Sequence, residues 1–183
     1  LVVEVLDFKG KAAGGAEPGN RRGVDNHHPG LRDLAPGIPI LSEESAADEL
    51  VGRRAWRELW VVDPLDGTSN FAAGIPFFAV SLALLVDGKV QAGVVHDPVR
   101  EECFCAVRGQ GAWLNDTRMR VSDRSRMIES VFATGLPFGG RSELPETLKD
   151  LARLLPATAG VRRWGAAALD LAYVAAGRYD GFW

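Results

Sequence analysis

Between residues 77 and 115 the chain alternates apolar runs with turn signals, and this rhythm restricts the fold more than any other feature. Phe77 to Val86 is nearly continuous apolar sequence, as expected of a strand covered on both faces. Asp87-Gly88 is a strong two-residue hairpin signal, after which Val90 to Val95 returns. Asp97-Pro98 turns the chain again, and Glu102 to Val107 supplies a third strand. Gly109-Gln110-Gly111 makes a further turn before Ala112-Trp113-Leu114-Asn115. Four strand signals in about forty residues predict an antiparallel meander.

Just upstream lies the stretch that carries chemistry, Trp60-Val61-Val62-Asp63-Pro64-Leu65-Asp66-Gly67-Thr68-Ser69-Asn70-Phe71. Its apolar start reads as a buried strand, broken into a tight loop by Pro64 and Gly67. A helix starting after the loop would leave backbone N–H groups free at its N-terminus. Carboxylates gather a hard cation such as Mg2+, and free N–H groups hold a phosphate. One loop thus offers both halves of a phosphoryl-transfer site. Asp-Gly alone is ordinary turn material; the whole dodecamer is far more specific. It also departs from the aspartyl-phosphatase pattern D-x-D-G-T, because Pro64 stands where the nucleophilic Asp would be.

Composition sets the bounds. The 183 residues, 46% hydrophobic and 25% charged, describe an ordinary globular protein. A net charge of −3 gives no reason to expect a nucleic acid polymer or an anionic membrane as partner. A phosphate ligand must then be held locally. Cys103 and Cys105, one residue apart, would point the same way on a strand about 7 Å apart, which is poor disulfide geometry. They read as small buried side chains in a reducing compartment, and a cytoplasmic location is the default. No apolar run approaches a membrane span of ~20 residues.

Elsewhere the signals are weaker. Lys9 to Gly30 is rich in glycine, with an Arg pair and a His pair, and reads as loop or disorder. Adjacent His27 and His28 would face apart on a strand. Leu31 to Leu34 ends a short helix, and Ile38 to Leu41 is a short strand running into Ser42-Glu43-Glu44-Ser45. Taken alone, the two glutamates are a solvated helix start capped by Ser42. His96, at a strand end, reads as structural. Leu144 to Leu155 shows a helical apolar face, with Ser142 as cap and Pro145 in the first turn. An alanine-rich helix from Ala166 to Ala176 closes at Gly177, and Tyr179 to Trp183 is a last strand signal.

Together these residues resemble the inositol monophosphatase family. The dodecamer is similar to its first signature, and Ile40-Leu-Ser-Glu-Glu-Ser45 to its upstream glutamate motif, with Glu43 twenty positions before Asp63. Phe78-Ala-Val-Ser-Leu-Ala83, Gly109-Gln-Gly-Ala-Trp-Leu-Asn115 and Gly165-Ala-Ala-Ala-Leu-Asp-Leu-Ala-Tyr-Val-Ala-Ala-Gly177 match in order and spacing. The resemblance covers the chain from about Leu31 onward. It implies an α/β (layered α+β) sugar-phosphatase fold of alternating α/β/α/β/α layers. It also implies a Mg2+-dependent, lithium-sensitive phosphomonoesterase acting on inositol monophosphate or a similar small polyol phosphate. By position, the metal ligands are Glu43, Asp63, the Leu65 carbonyl and Asp66, for two or three Mg2+ ions in the complete site. Gly67 and Thr68 bind phosphate with Asp66, the Ala167 amide meets the substrate, and Glu44 stands behind the ligands. Metal-activated water, held also by the Thr68 hydroxyl, is the expected nucleophile. Neither aspartate is then a nucleophile or a general base. By the same resemblance the protein is a homodimer. Related activities, 3'(2'),5'-bisphosphate nucleotidase and histidinol-phosphatase, are the alternatives, together with a catalytically incomplete fragment that only binds metal or phosphate.

Departures from the family pattern are equally specific. Its second signature, a Trp-Asp pair whose Asp completes the metal site, is expected just past residue 183. The upstream V-T-x-x-D motif is expected near Asn20 and Arg21, where no acid stands. The chain is therefore expected to be incomplete at both ends. The expected parts are an atypical segment over 1–30, a metal-site domain over 31–140, and the start of a truncated second domain over 141–183.

Overall fold

The computed structural model describes residues 29–43, 56–136 and 144–183. The glycine-rich start, the His27-His28 pair, Glu44 and the expected Ser142 cap lie outside the described residues. Chain order gives α1 (Pro29–Leu34), β1 (Ile40–Ser42), β2 (Glu58–Asp66), α2 (Thr68–Ala72) and then β3 (Ala79–Val86). Next come β4 (Lys89–Asp97), β5 (Glu102–Val107), β6 (Gly111–Leu114), β7 (Thr117–Arg118) and a 3-10 turn (Met127–Glu129). The chain closes with β8 (Val131–Ala133), α3 (Leu144–Leu154), β9 (Gly160–Arg162), α4 (Ala167–Ala175) and β10 (Gly181–Phe182).

The expected meander is the centre of a seven-stranded sheet in the order β1-β2-β3-β4-β5-β6-β7. Every pairing is antiparallel except β1 with β2, where Ile40 meets Trp60 and Ser42 meets Val62. Beyond Ala79 the β3 residues are only half-buried, so its apolar run is not sealed on both faces by the described residues. Cys103 and Cys105 are buried and form no disulfide. His96 sits inside the ladder between Val80 and Cys103.

A second sheet, β10-β8-β9, is parallel throughout. The Tyr179 to Trp183 signal holds as β10; β8 and β9 were not legible in the sequence, because they are three residues long and carry no period that can be counted. Helix α4 joins the two sheets: Leu169, Ala172 and Tyr173 share one core with Phe77, Ala79 and Phe104 of the meander side and Ala133 of β8. Its alanines let the helix backbone lie close to the strands. Gly177 ends it at φ +73, and a Cβ there would meet the Ser122 nitrogen at 2.8 Å and the Arg120 oxygen at 2.9 Å. Helix α3 has its expected extent, yet Leu144 and Leu148 of its apolar face are exposed.

Candidate active site

Strand β2 does not stop at Pro64. It runs on to Asp66 with a register shift between Asp63 and Asp66 opposite β3, a bulge that re-aims side chains at a sheet edge. The Asp63 carboxylate accepts the Leu65 N–H at 3.0 Å, which folds the loop back on itself. Gly67 follows at φ +88, and a Cβ there would lie 3.0 Å from the Phe77 carbonyl oxygen and 3.1 Å from Ala166 Cβ. Only glycine meets both demands. Thr68 then opens α2, and its hydroxyl donates to the Leu65 carbonyl at 2.9 Å. With its proton so committed, Thr68 Oγ1 presents lone pairs outward as an acceptor.

Asn70 locks this loop to the rest of the molecule. Buried at the centre of α2, its amide donates to the Phe77 and Trp164 carbonyls, each at 2.7 Å. The second contact fixes the chain just ahead of α4. The N-terminus of that helix then faces the loop: Ala168 N–H donates to Asp66 Oδ2 at 2.6 Å, and the nearby Ala167 and Gly67 N–H groups favour the charged form of the carboxylate. Asp66 is thus an anion at a helix N-terminus, where the dipole favours it.

The favourable amides do not win. Burial foremost, with the neighbouring Asp63 charge added, holds the Asp66 carboxyl above its ordinary range despite the three N–H groups. Beneath it lies a residue to which the sequence reading gave no role. Asp170 is 1% exposed and its Oδ1 has no hydrogen-bond partner among the described residues. Burial, and then the Asp66 charge, push its carboxyl up to about 6, while Arg163 pulls the other way. The signal was an acid in the first turn of an otherwise apolar helix, which by itself reads as a dipole partner.

The expected ligands are thus partly gathered. Asp63, the Leu65 carbonyl and Asp66 share the bulged loop, an all-oxygen donor set suited to a hard cation. Glu43 is at the end of β1, where its N–H donates to the Val62 carbonyl at 3.1 Å. Continuing the β1–β2 register places it beside Asp63. Its side chain is exposed, and among the described residues no three His, Cys, Asp or Glu side chains form a metal cluster. Ala167, expected to offer its amide to a substrate, is the first residue of α4, next to the Ala168 N–H that bonds Asp66.

Known proteins resemble this chain in sequence and fold. The model of the "Inositol monophosphatase family" matches residues 25–183. An inositol-1-monophosphatase of Mesorhizobium japonicum is 47% identical over 153 residues, covering 84% of this chain and 56% of that protein. The crystal structure of extragenic suppressor protein suhB from Bartonella henselae is 49% identical with a TM-score of 0.77, over 84% of this chain and 57% of that one. A structure of an IMPase/NADP phosphatase complexed with NADP and Ca2+ is 25% identical with a TM-score of 0.67, over 81% of this chain and 55% of that one. The chain therefore spans little more than half the length of these relatives. No helix among the described residues is long and apolar enough to cross a membrane.

Proposed function

The chain belongs to the inositol monophosphatase family, and from that premise we propose that it hydrolyses a small phosphate monoester, inositol monophosphate or a close polyol analogue, with Mg2+ as cofactor. One observation carries the proposal: Asp63 and Asp66 stand on one bulged loop whose Gly67-Thr68 turn faces the amides of α4. Two carboxylates that repel each other across a loop favour a cation between them.

A phosphate monoester resists attack because it is a dianion, so its hydrolysis needs charge neutralised and a water made reactive. A bound divalent cation supplies both. Asp63, the Leu65 carbonyl and Asp66 would hold it, with Glu43 joining from the β1 end and Glu44 behind. The chain's own part is orientation. The Gly67 and Thr68 N–H groups meet phosphate oxygens. The Thr68 hydroxyl, whose hydrogen is on the Leu65 carbonyl, accepts a hydrogen bond from the attacking water and fixes its approach. Asn70 keeps α4 opposite the loop. As in related family members, we expect a homodimer, and the absence of a disulfide at Cys103 and Cys105 fits a cytoplasmic location.

A second reading has its own observation. The described residues hold no three-residue metal cluster and the chain covers only 56% of a close relative. On that reading the chain binds metal and phosphate without turnover. Phosphate release from inositol 1-phosphate and from 3′-phosphoadenosine 5′-phosphate, with and without Mg2+ and with a lithium control, separates the two. Mg2+-dependent, lithium-inhibited release favouring inositol 1-phosphate is the expected result. Binding of Mg2+ and phosphate without release supports the second reading, and absence of both binding and release contradicts either one.

A further inference from the structure

Each carboxylate of the bulged loop is held by a backbone amide through one of its oxygens. Asp63 Oδ1 accepts the Leu65 N–H at 3.0 Å, a bond made inside the loop. Asp66 Oδ2 accepts the Ala168 N–H at 2.6 Å, and that donor comes from α4, 102 residues along the chain. The Leu65 carbonyl is engaged in the same way, with the Thr68 hydroxyl on it at 2.9 Å. Each oxygen-bearing group expected to ligate from this loop therefore carries a hydrogen bond already, which fixes how it is turned.

Mg2+ and Ca2+ ask for different donors. Mg2+ takes single oxygens in a tight octahedral shell and keeps several waters. Ca2+ has a larger, more flexible shell and accepts both oxygens of one carboxylate, so ligand number and flexibility decide between the two ions. A carboxylate pinned through one oxygen by a charge-assisted hydrogen bond presents the other and resists the rotation that would bring both onto one ion. Ala168 imposes that restraint on Asp66 from outside the loop, and its own place is fixed. Ala166, two residues ahead, has its Cβ 3.1 Å from where a Gly67 Cβ would stand. Leu169, the next residue, is fully buried in the shared core. The donor cannot leave the loop without unpacking α4.

We propose that Ala168 is a positioning residue whose backbone N–H makes the Asp63–Thr68 loop select Mg2+ over Ca2+, by leaving Asp66 one oxygen for the ion. This rests on reading that loop as a cation site. It assigns the choice of ion to a bond made across the molecule, outside the loop's own residues.

The test must remove the N–H and spare the helix. Ala168 lies in the first turn of α4, where proline is tolerated because its missing N–H has no intrahelical partner to lose. Ala168→Pro therefore deletes the bond to Asp66, and Ala168→Gly is the control that keeps it. The full chain is melted over a series of Mg2+ concentrations and, separately, of Ca2+ concentrations, and each dissociation constant is taken from the rise in stability. The wild type is expected to bind Mg2+ more tightly than Ca2+. Ala168→Pro should move the ratio of the two constants roughly three- to tenfold toward Ca2+, and Ala168→Gly should keep it within about twofold. An unchanged ratio in Ala168→Pro, an equal shift in both variants, or a wild type that binds Ca2+ as tightly as Mg2+ overturns the proposal and leaves the cation site standing. Should the proline variant fail to fold, amide hydrogen exchange of the wild type decides. An Ala168 N–H that stays protected at saturating Mg2+ supports the positioning role, and one that loses its protection overturns it. A wild type whose stability responds to neither ion overturns the cation-site reading and this inference with it.

Discussion

Two buried seams tie the meander side of the molecule to its second sheet, and they treat negative charge in opposite ways. At one, Asp180 accepts the Val131 N–H at 2.7 Å, Arg124 Nε at 2.8 Å and the Ser122 hydroxyl. Burial alone would raise its pKa, but these donors outweigh it and hold the carboxyl below its ordinary range. At the other seam, Asp66 and Asp170 both lie near the N-terminus of α4, and both carboxyls are raised. The first seam is satisfied and has no charge left to offer. The second is short of positive charge, and the missing charge is what a cation would bring. Chemistry is expected where the structure leaves an electrostatic debt, because strongly perturbed groups collect at functional sites.

The largest expected effect is on turnover. Asp66→Asn keeps an acceptor for Ala168 but removes the charge, so Mg2+-dependent hydrolysis should fall at least roughly a hundredfold. Stability should change by less than about 1 kcal/mol. Steady-state kinetics beside a urea melt reads both, and undiminished turnover would make the carboxylate mere turn material.

Asp180→Ala attacks the satisfied seam and should act the other way. It strands Arg124 and the Val131 N–H, so about 4 kcal/mol of stability should be lost, visible as a lower urea midpoint. A variant as stable as wild type would mean that the seam holds nothing together.

Asp170→Asn sharpens the contrast through pH. A carboxyl raised from 3.8 to about 6 in the fold keeps its proton longer folded than unfolded. Its contribution to stability is full below pH 3.8 and disappears as pH rises through 6. At neutral pH the wild type therefore carries a penalty of order 3 kcal/mol. In metal-free buffer the Asn variant should be more stable at pH 7.5 and lose its advantage near pH 4. Parallel stability–pH curves for the two proteins would refute this.

The smallest effect belongs to Gly177, whose φ of +73 and backbone neighbours under 3 Å exclude a side chain. Gly177→Ala should cost about 2 kcal/mol, measured by thermal melting, without touching Mg2+ affinity.

The first sheet was readable because its signals are local: Asp87-Gly88 and the apolar runs around it specify each turn within a few residues. The loop was readable for the same reason, since Asp63, Asp66, Gly67 and Thr68 are neighbours in sequence. Contacts made at long range were not. Asp66 with Ala168, Asn70 with Trp164 and Arg124 with Asp180 are 102, 94 and 56 residues apart, and no period or turn residue announces them. The isolation of Asp170 is likewise a property of packing. Its identity was visible in the sequence, but its unmet oxygen was not.

The claim that the undercharged seam is a metal and phosphate site is tested most directly by melting the chain with and without Mg2+ and inorganic phosphate. A ligand that binds only the folded state raises its stability by mass action. Saturating Mg2+ with phosphate should raise the Tm of the wild type by several degrees, while leaving Asp66→Asn unmoved. An unchanged wild-type Tm, or an equal rise in Asp66→Asn, would contradict the account.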